Sequence, residues 1–238
     1  MDIKESDLID GEIGAHWYYS SKAKAMKHLL SDSLVTGILD VGAGSGFFSR
    51  KLISETAAKQ LWCVDTGYKK DFDEEVSGKP IYFRRNVELV DADLVLMMDV
   101  LEHVDDDVGM LKDYAKKVPR GSHFLISVPA FQFLWSEHDI FLEHKRRYTL
   151  SQVEDVVCEA GLKVVNSTYY FGAVFPIAVI ARLMNNWLYK GKREARSQLS
   201  QHHPVTNKIL SVISSFELFF LRRNHLAGLT VFCLAEKL

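Results

Sequence analysis

Eleven residues, Ile38 to Phe48 (ILDVGAGSGFF), constrain this chain more than any other stretch. Ile38, Leu39 and Val41 make an apolar run of the kind that ends a buried parallel strand. Gly42, Gly44 and Gly46 follow at alternate positions before a helical pattern begins at Phe47. Glycine lets the backbone turn through positive φ and lets a ligand approach the main chain, while the first amides of the next helix point at whatever sits there. The segment therefore predicts a strand, a loop and a helix built around a nucleotide-like ligand. It departs from the dinucleotide fingerprint, because Phe47 stands where the third glycine of G-x-G-x-x-G belongs and Gly46 comes one residue early.

Asp40 lies inside the strand, where a carboxylate is costly unless it meets loop amides or a ligand, and it is expected to face the ligand. A second short strand, Leu61 to Val64, ends in Asp65, roughly 20 residues past the loop, where a ribose-binding acid is expected in a βαβ unit. D-V-G-A-G-S-G together with this second acid resembles motif I and its partner in class I S-adenosylmethionine-dependent methyltransferases. The resemblance implies S-adenosylmethionine as cofactor, held by Asp40, Gly42, Ala43, Gly44 and Gly46, with Asp65 and Thr66 at the ribose. It adds Asp99 and Val100 after the fourth strand, and Asn86 as a weaker candidate on the adenine side.

With 238 residues, 47% of them hydrophobic and 25% charged, the chain can bury one sizeable core. A net charge of -2 argues against a broad nucleic-acid face. The three cysteines are widely spaced, without C-x-x-C, and are expected to be reduced core residues. MDIKESDLIDGE has no apolar segment, so the cytoplasm is the expected compartment, with peripheral contact to the inner membrane as an extension of that reading. Strand and helix patterns alternate from a helix near Ala15 to a last strand near Leu229. They predict an α/β, doubly wound, seven-stranded Rossmann-like sheet in a single domain, 1–238, with a helical insertion over 171–225 before the final strand.

After DLVLMM comes the run from Asp99 to Val104, DVLEHV, at the carboxyl end of a central strand, where open α/β sheets place ligands. If a helical turn starts there, Asp99, Glu102 and His103 stand at i, i+3 and i+4 and share one face. The run resembles the post-strand motif of ubiquinone-pathway O-methyltransferases, in which equivalent residues hold a divalent cation. Metal ligation by these three, general-base work by His103 and simple helix capping all remain open; a metal is not the favoured reading. The N-P-P-Y signature of base-amino methylation is absent.

The stretch VPAFQFLWSEHDIFLEHKRRYT crowds histidines, acids, bases and rings into one loop. It resembles a segment of bacterial methyltransferases that accompany glycan and lipid assembly. His138 with Asp139 can form an acid-base pair, and Arg146 and Arg147, with Tyr148 and Trp135, can bind an anionic acceptor; alternatively Arg147 and Tyr148 only anchor the next helix, capped at Thr149 or Ser151. His16, Trp17 and Tyr18, with Lys22, resemble the opening H-W-W/Y segment that covers the cofactor's methionine end in the same enzymes.

Within the insertion, Arg182 to Arg223 contains eight Lys or Arg against two Glu, a surplus of six, so the remainder of the chain carries -8. An amphipathic helix is expected over Lys208 to Arg223, serving as a lid, a homodimer interface or a surface resting on anionic lipid. The expected function is methyl transfer to an oxygen of a small or lipid-linked acceptor, with no nucleic acid involved. The rivals are a nicotinamide-dependent oxidoreductase and a non-catalytic cofactor-binding protein that docks through its basic helices.

Overall fold

A computed structural model describes residues 13–30, 35–188 and 203–238 of the chain. Its strands are β1 (Gly37–Val41), β2 (Gln60–Val64), β3 (Phe72–Val76), β4 (Lys79–Arg84), β5 (Leu94–Met98), β6 (His123–Pro129), β7 (Leu162–Tyr170) and β8 (Thr230–Lys237). They form one sheet in the order β3-β4-β2-β1-β5-β6-β8-β7. The stretch from β4 to β6 is parallel, whereas β8 runs antiparallel between β6 and β7. Every residue of β1 and β5 is buried, as a strand covered by helices on both faces requires.

Among the described residues seven helices decorate the sheet: α1 (Trp17–Leu29), α2 (Phe47–Glu55), α3 (Asp107–Lys116), α4 (Glu137–Phe141), α5 (Leu150–Glu159), α6 (Phe175–Leu188) and α7 (Pro204–Glu217). Ile38, Leu61 and Leu96 pack on one face with Tyr19 and Met26 of α1 and Leu52 of α2. Leu39, Val95 and Met97 pack on the other with Leu111 of α3 and Val157 of α5. The helix starts are set locally. Asp106 accepts from Gly109 N at 2.7 Å ahead of α3, and Thr149 forms a capping box with Gln152, rather than Ser151 with Glu154, ahead of α5.

The expected seven strands become eight because β3 pairs antiparallel with β4 at the sheet edge. Its sequence, FDEEV, is exposed and acidic and offers no apolar alternation. The turn that makes it is Ser77-Gly78, both residues at positive φ, the geometry of a two-residue hairpin. Phe72 then stacks on Phe83 with ring centroids 4.3 Å apart. Cys63 and Cys233 are buried as expected, but Cys158 is exposed on α5.

Candidate active site

The strand order switches at β1, with parallel β2 on one side and parallel β5 on the other, and the loops leaving these three strands line a cavity of about 300 Å³. Gly42, Asp65, Thr66, Asp99, Val100 and His103 are among its lining residues. Gly42, Gly44 and Gly46 all adopt positive φ. At Gly42 a Cβ would come within 2.7 Å of Val100 Cγ2, so only glycine lets the loop pass the post-β5 turn. Gly46 caps α2 at φ +70.

The loop amides are turned inward. Gly42 N and Ala43 N donate to Val64 O, Gly46 N donates to Ala43 O at 2.8 Å, and Gly44 N donates to Asp65 Oδ2 at 3.0 Å. Asp65 Oδ1 accepts from Gly67 N at 2.8 Å, which leaves each carboxylate oxygen a further lone pair for a hydroxyl. These amides do not form the phosphate cradle of a dinucleotide site, and the cavity presents carboxylates of Asp65 and Asp99 instead. A ligand with hydroxyls and a positive charge suits such walls; a pyrophosphate does not.

Asp99 sits at φ +57, outside the short 3-10 turn Leu101–His103, so the expected i, i+3, i+4 face does not form. Its Oδ2 is ion-paired with Lys22 Nζ, its Oδ1 accepts from Ser127 Oγ at 3.3 Å, and 23% of its side chain stays exposed. Lys22 is fully buried. Burial works against both charges, yet each holds the other ionised: the Asp99 carboxyl lies below its ordinary value and the Lys22 ammonium above.

Asp40 does not line the cavity. It is buried beside Ser49, and burial pushes its carboxyl up to about 6, only partly offset by that hydroxyl. A raised carboxyl contributes stability below its unfolded value, near 4, and loses it as pH rises through about 6. At about 1.4 kcal/mol per pH unit, the ionised form costs the fold about 3 kcal/mol. Asp40→Asn should therefore match wild type in denaturant titrations at pH 4 and exceed it by up to about 3 kcal/mol at pH 8.

Glu102 is fully buried, and neither carboxylate oxygen has a hydrogen-bond partner among the described residues. Burial, then the Asp99 carboxylate, lifts its pKa well above the ordinary range. The ligand atoms of Glu102, His103 and His144 lie within 4.8 Å of one another. His144 thus replaces Asp99 in the set that could hold a cation, since Asp99 is held by Lys22.

Asp139 likewise leaves its expected partner. Its carboxylate accepts from Ser136 N, Ser136 Oγ, His144 Nδ1, Arg147 Nε and Arg147 Nη2, rather than pairing with His138. Burial opposes its charge, but the His144 and Arg147 bonds hold the carboxyl far below its usual range. An ionised carboxylate only accepts, so His144 donates from Nδ1 and presents Nε2 elsewhere.

The basic run expected to hold an anion is instead committed to the fold. Arg147 is buried and also donates to Ala130 O, while Arg146 donates to Val104 O, Asp105 O and Asp107. Tyr148 Oη donates to Leu101 O and Asp107 Oδ2, and Lys145 N donates to Glu102 O. Residues 144–148 thus clamp the post-β5 turn that carries His103. Trp135 is half-buried after the 3-10 turn Gln132–Leu134, and exposed Asn86 accepts from Lys117. Tyr18 stacks on Phe171 at 5.1 Å, with Lys22 Nζ 5.4 Å from its ring.

Sequence reasoning missed the Lys22 charge partner, His144 and Arg182. The last donates to Leu134 O from α6 and is lowered to about 10 by burial. For Lys22, the signal was a lysine on the apolar side of an amphipathic helix.

A family model described as a methyltransferase domain matches residues 16–167. Among solved structures, an S-adenosylmethionine-dependent methyltransferase from Mesorhizobium loti superposes with a TM-score of 0.55 at 14% identity, covering 91% of this chain and 96% of that one. Phosphoethanolamine N-methyltransferase 2 from Haemonchus contortus, in complex with S-adenosylmethionine, gives 0.52 at 17% identity, covering 90% of this chain and 52% of the other. These likenesses establish the fold. No curated protein sequence matches the chain.

Proposed function

This chain belongs to the methyltransferase-domain family, and from that membership we propose that it methylates a hydroxyl oxygen of a small or lipid-linked acceptor using S-adenosylmethionine. The observation that carries the cofactor reading is the acidic cavity at the ends of β1, β2 and β5, whose loop amides bond inward and whose walls offer Asp65 and Asp99. Bound there, S-adenosylmethionine supplies an electrophilic methyl group on a cationic sulfonium.

The residues of the chain bind, orient and move one proton. Asp65 accepts from ribose hydroxyls, and Gly42 and Val100 give the close approach the adenosyl moiety needs. Asp99, fixed by Lys22, keeps negative charge facing the sulfonium. His103, on the cavity wall, takes the proton from the acceptor hydroxyl as the oxygen attacks. Most of the acceleration comes from holding the donor and acceptor in line. Neighbours of the same fold include N-methyltransferases, so the test offers matched acceptors. His103→Ala should slow transfer from radiolabelled S-adenosylmethionine to a hydroxyl acceptor by about a hundredfold, with affinity for S-adenosylhomocysteine intact. Transfer to an amine alone, or full activity in the variant, would refute the oxygen reading.

The unpartnered Glu102 carboxylate favours a second reading, exclusive of the first, in which His103 ligates a cation and is not the base. Glu102, His103 and His144 are a donor set for a divalent cation, with Asp139 behind His144 as its orienting carboxylate. Two imidazoles and one carboxylate suit zinc or manganese better than magnesium, and a cation there would polarise an acceptor oxygen. Zinc or manganese at 100 times its Kd should stabilise the protein by about 2.7 kcal/mol in thermal melts, and Glu102→Gln should abolish the shift. An equal shift in the variant would remove Glu102 from the set.

A further inference from the structure

The two helices between β7 and β8 carry apolar faces that the domain does not cover. Along α7, Val205, Ile209, Val212 and Phe216 recur every three or four residues, each more than half exposed, and Phe219 (79%) and Phe220 (59%) extend the stripe past the helix end. On α6, Ile177, Ile180, Leu183 and Met184 are equally open. Soluble surfaces rarely gather so many large apolar side chains without a partner.

The opposite side of α7 is fixed to the body of the protein. Asn207 accepts from Trp17 N and donates to Ala15 O, both at 2.8 Å, and buried Ser214 offers its carbonyl to Tyr170 Oη at 3.0 Å. Glu217 receives Gly172 N and so ties the end of α7 to the chain entering α6. The stretch Pro204–Arg223 is long and apolar enough to cross a bilayer by length and composition alone. Crossing would break every one of these bonds, so the geometry favours a helix lying along a surface.

Charge selects the occupant. Lys208 and Arg223 are exposed, Arg222 is exposed while its guanidinium donates to His28 O and Leu29 O, and Glu217, already bonded, is the only acid from 203 to 226. A second copy would bring like charges together, whereas anionic phospholipid complements them and the phenylalanines insert at the headgroup boundary. We propose that the outer faces of α6 and α7 seat this protein on an anionic bilayer. Arg182 of α6 donates to Leu134 O and Phe175 packs against Phe131, so the same surface adjoins the loop after β6. The inference does not rest on the transfer chemistry above, because lipid binding is read without cofactor or acceptor.

The test is flotation of the full chain with vesicles of phosphatidylcholine alone or mixed with phosphatidylglycerol. Binding should be at least about tenfold stronger to the anionic vesicles and weaken as salt rises. Combined Phe216→Ser, Phe219→Ser and Phe220→Ser, and separately Lys208→Glu with Arg223→Glu, should each lower it about tenfold or more while S-adenosylhomocysteine affinity, read by calorimetry, stays at wild type. Wild-type protein that ignores anionic vesicles overturns the proposal, as does undiminished binding by the serine variant. So does a wild-type dimer, seen by light scattering, that the serine changes split into monomers without any vesicle binding.

Discussion

Asp139→Asn is expected to destabilise the protein by about 3–5 kcal/mol, the penalty for leaving a buried charge without its partner. Arg147 donates to both Asp139 oxygens, at 2.7 and 3.0 Å, and its side chain is only 5% exposed, so the amide would leave a buried guanidinium uncompensated. The same carboxylate orients His144 and caps α4 through Ser136, so three parts of the post-β6 loop loosen together. Urea titration of wild type and variant at pH 7 measures the loss. The contribution should follow acid with a definite sign: a depressed carboxyl stabilises above its unfolded value, near 4, and loses that stability as pH falls through the native value. The difference between wild type and variant should therefore be full at pH 7 and shrink below pH 4. A loss under about 1 kcal/mol would mean that Arg147 finds other partners.

Lys22→Met should cost a comparable amount, about 3–5 kcal/mol, and should also damage cofactor binding. The thioether fills most of the lysine's volume but leaves Asp99 ionised against a buried wall without its cation. Asp99 already holds a left-handed backbone, a conformation an aspartate tolerates when its side chain is fixed locally. Adding Asp99→Asn to Lys22→Met should recover part of the stability, since removing both charges is far cheaper than removing one. It should not restore affinity for the cofactor, because the negative wall stays lost. Denaturation and calorimetry across the four members of this cycle separate the two effects; strictly additive losses would mean the pair is not coupled.

Much of this was readable from residue order, and the reasons differ by element. β5 is a continuous apolar run, β1 is one interrupted only by Asp40, and the glycines at 42, 44 and 46 admit few conformations, so the strand, loop and helix followed directly. β3 escaped because an exposed edge strand has no buried face to print an apolar rhythm. In the post-β6 loop the chemistry-bearing types were visible but their partners were not: Asp139 meets Arg147 and His144 through a local turn, and Lys22 meets Asp99 across 77 residues. Pairings of this kind depend on tertiary packing, which spacing alone does not encode. The basic run was readable as either a ligand grip or an anchor, and only its carbonyl partners on residues 101–105 distinguish the two.

Calorimetric titration of wild type and Asp65→Ala with S-adenosylhomocysteine and, separately, with NAD decides whether the cavity beside Asp65 holds an adenosyl sulfonium or a dinucleotide. Micromolar binding of the nucleoside thioether, no measurable heat with NAD, and at least about a tenfold loss in the variant, the worth of a charge-assisted hydrogen bond, are expected. Tight NAD binding, or an Asp65→Ala variant that holds S-adenosylhomocysteine as well as wild type, would contradict the adenosyl assignment.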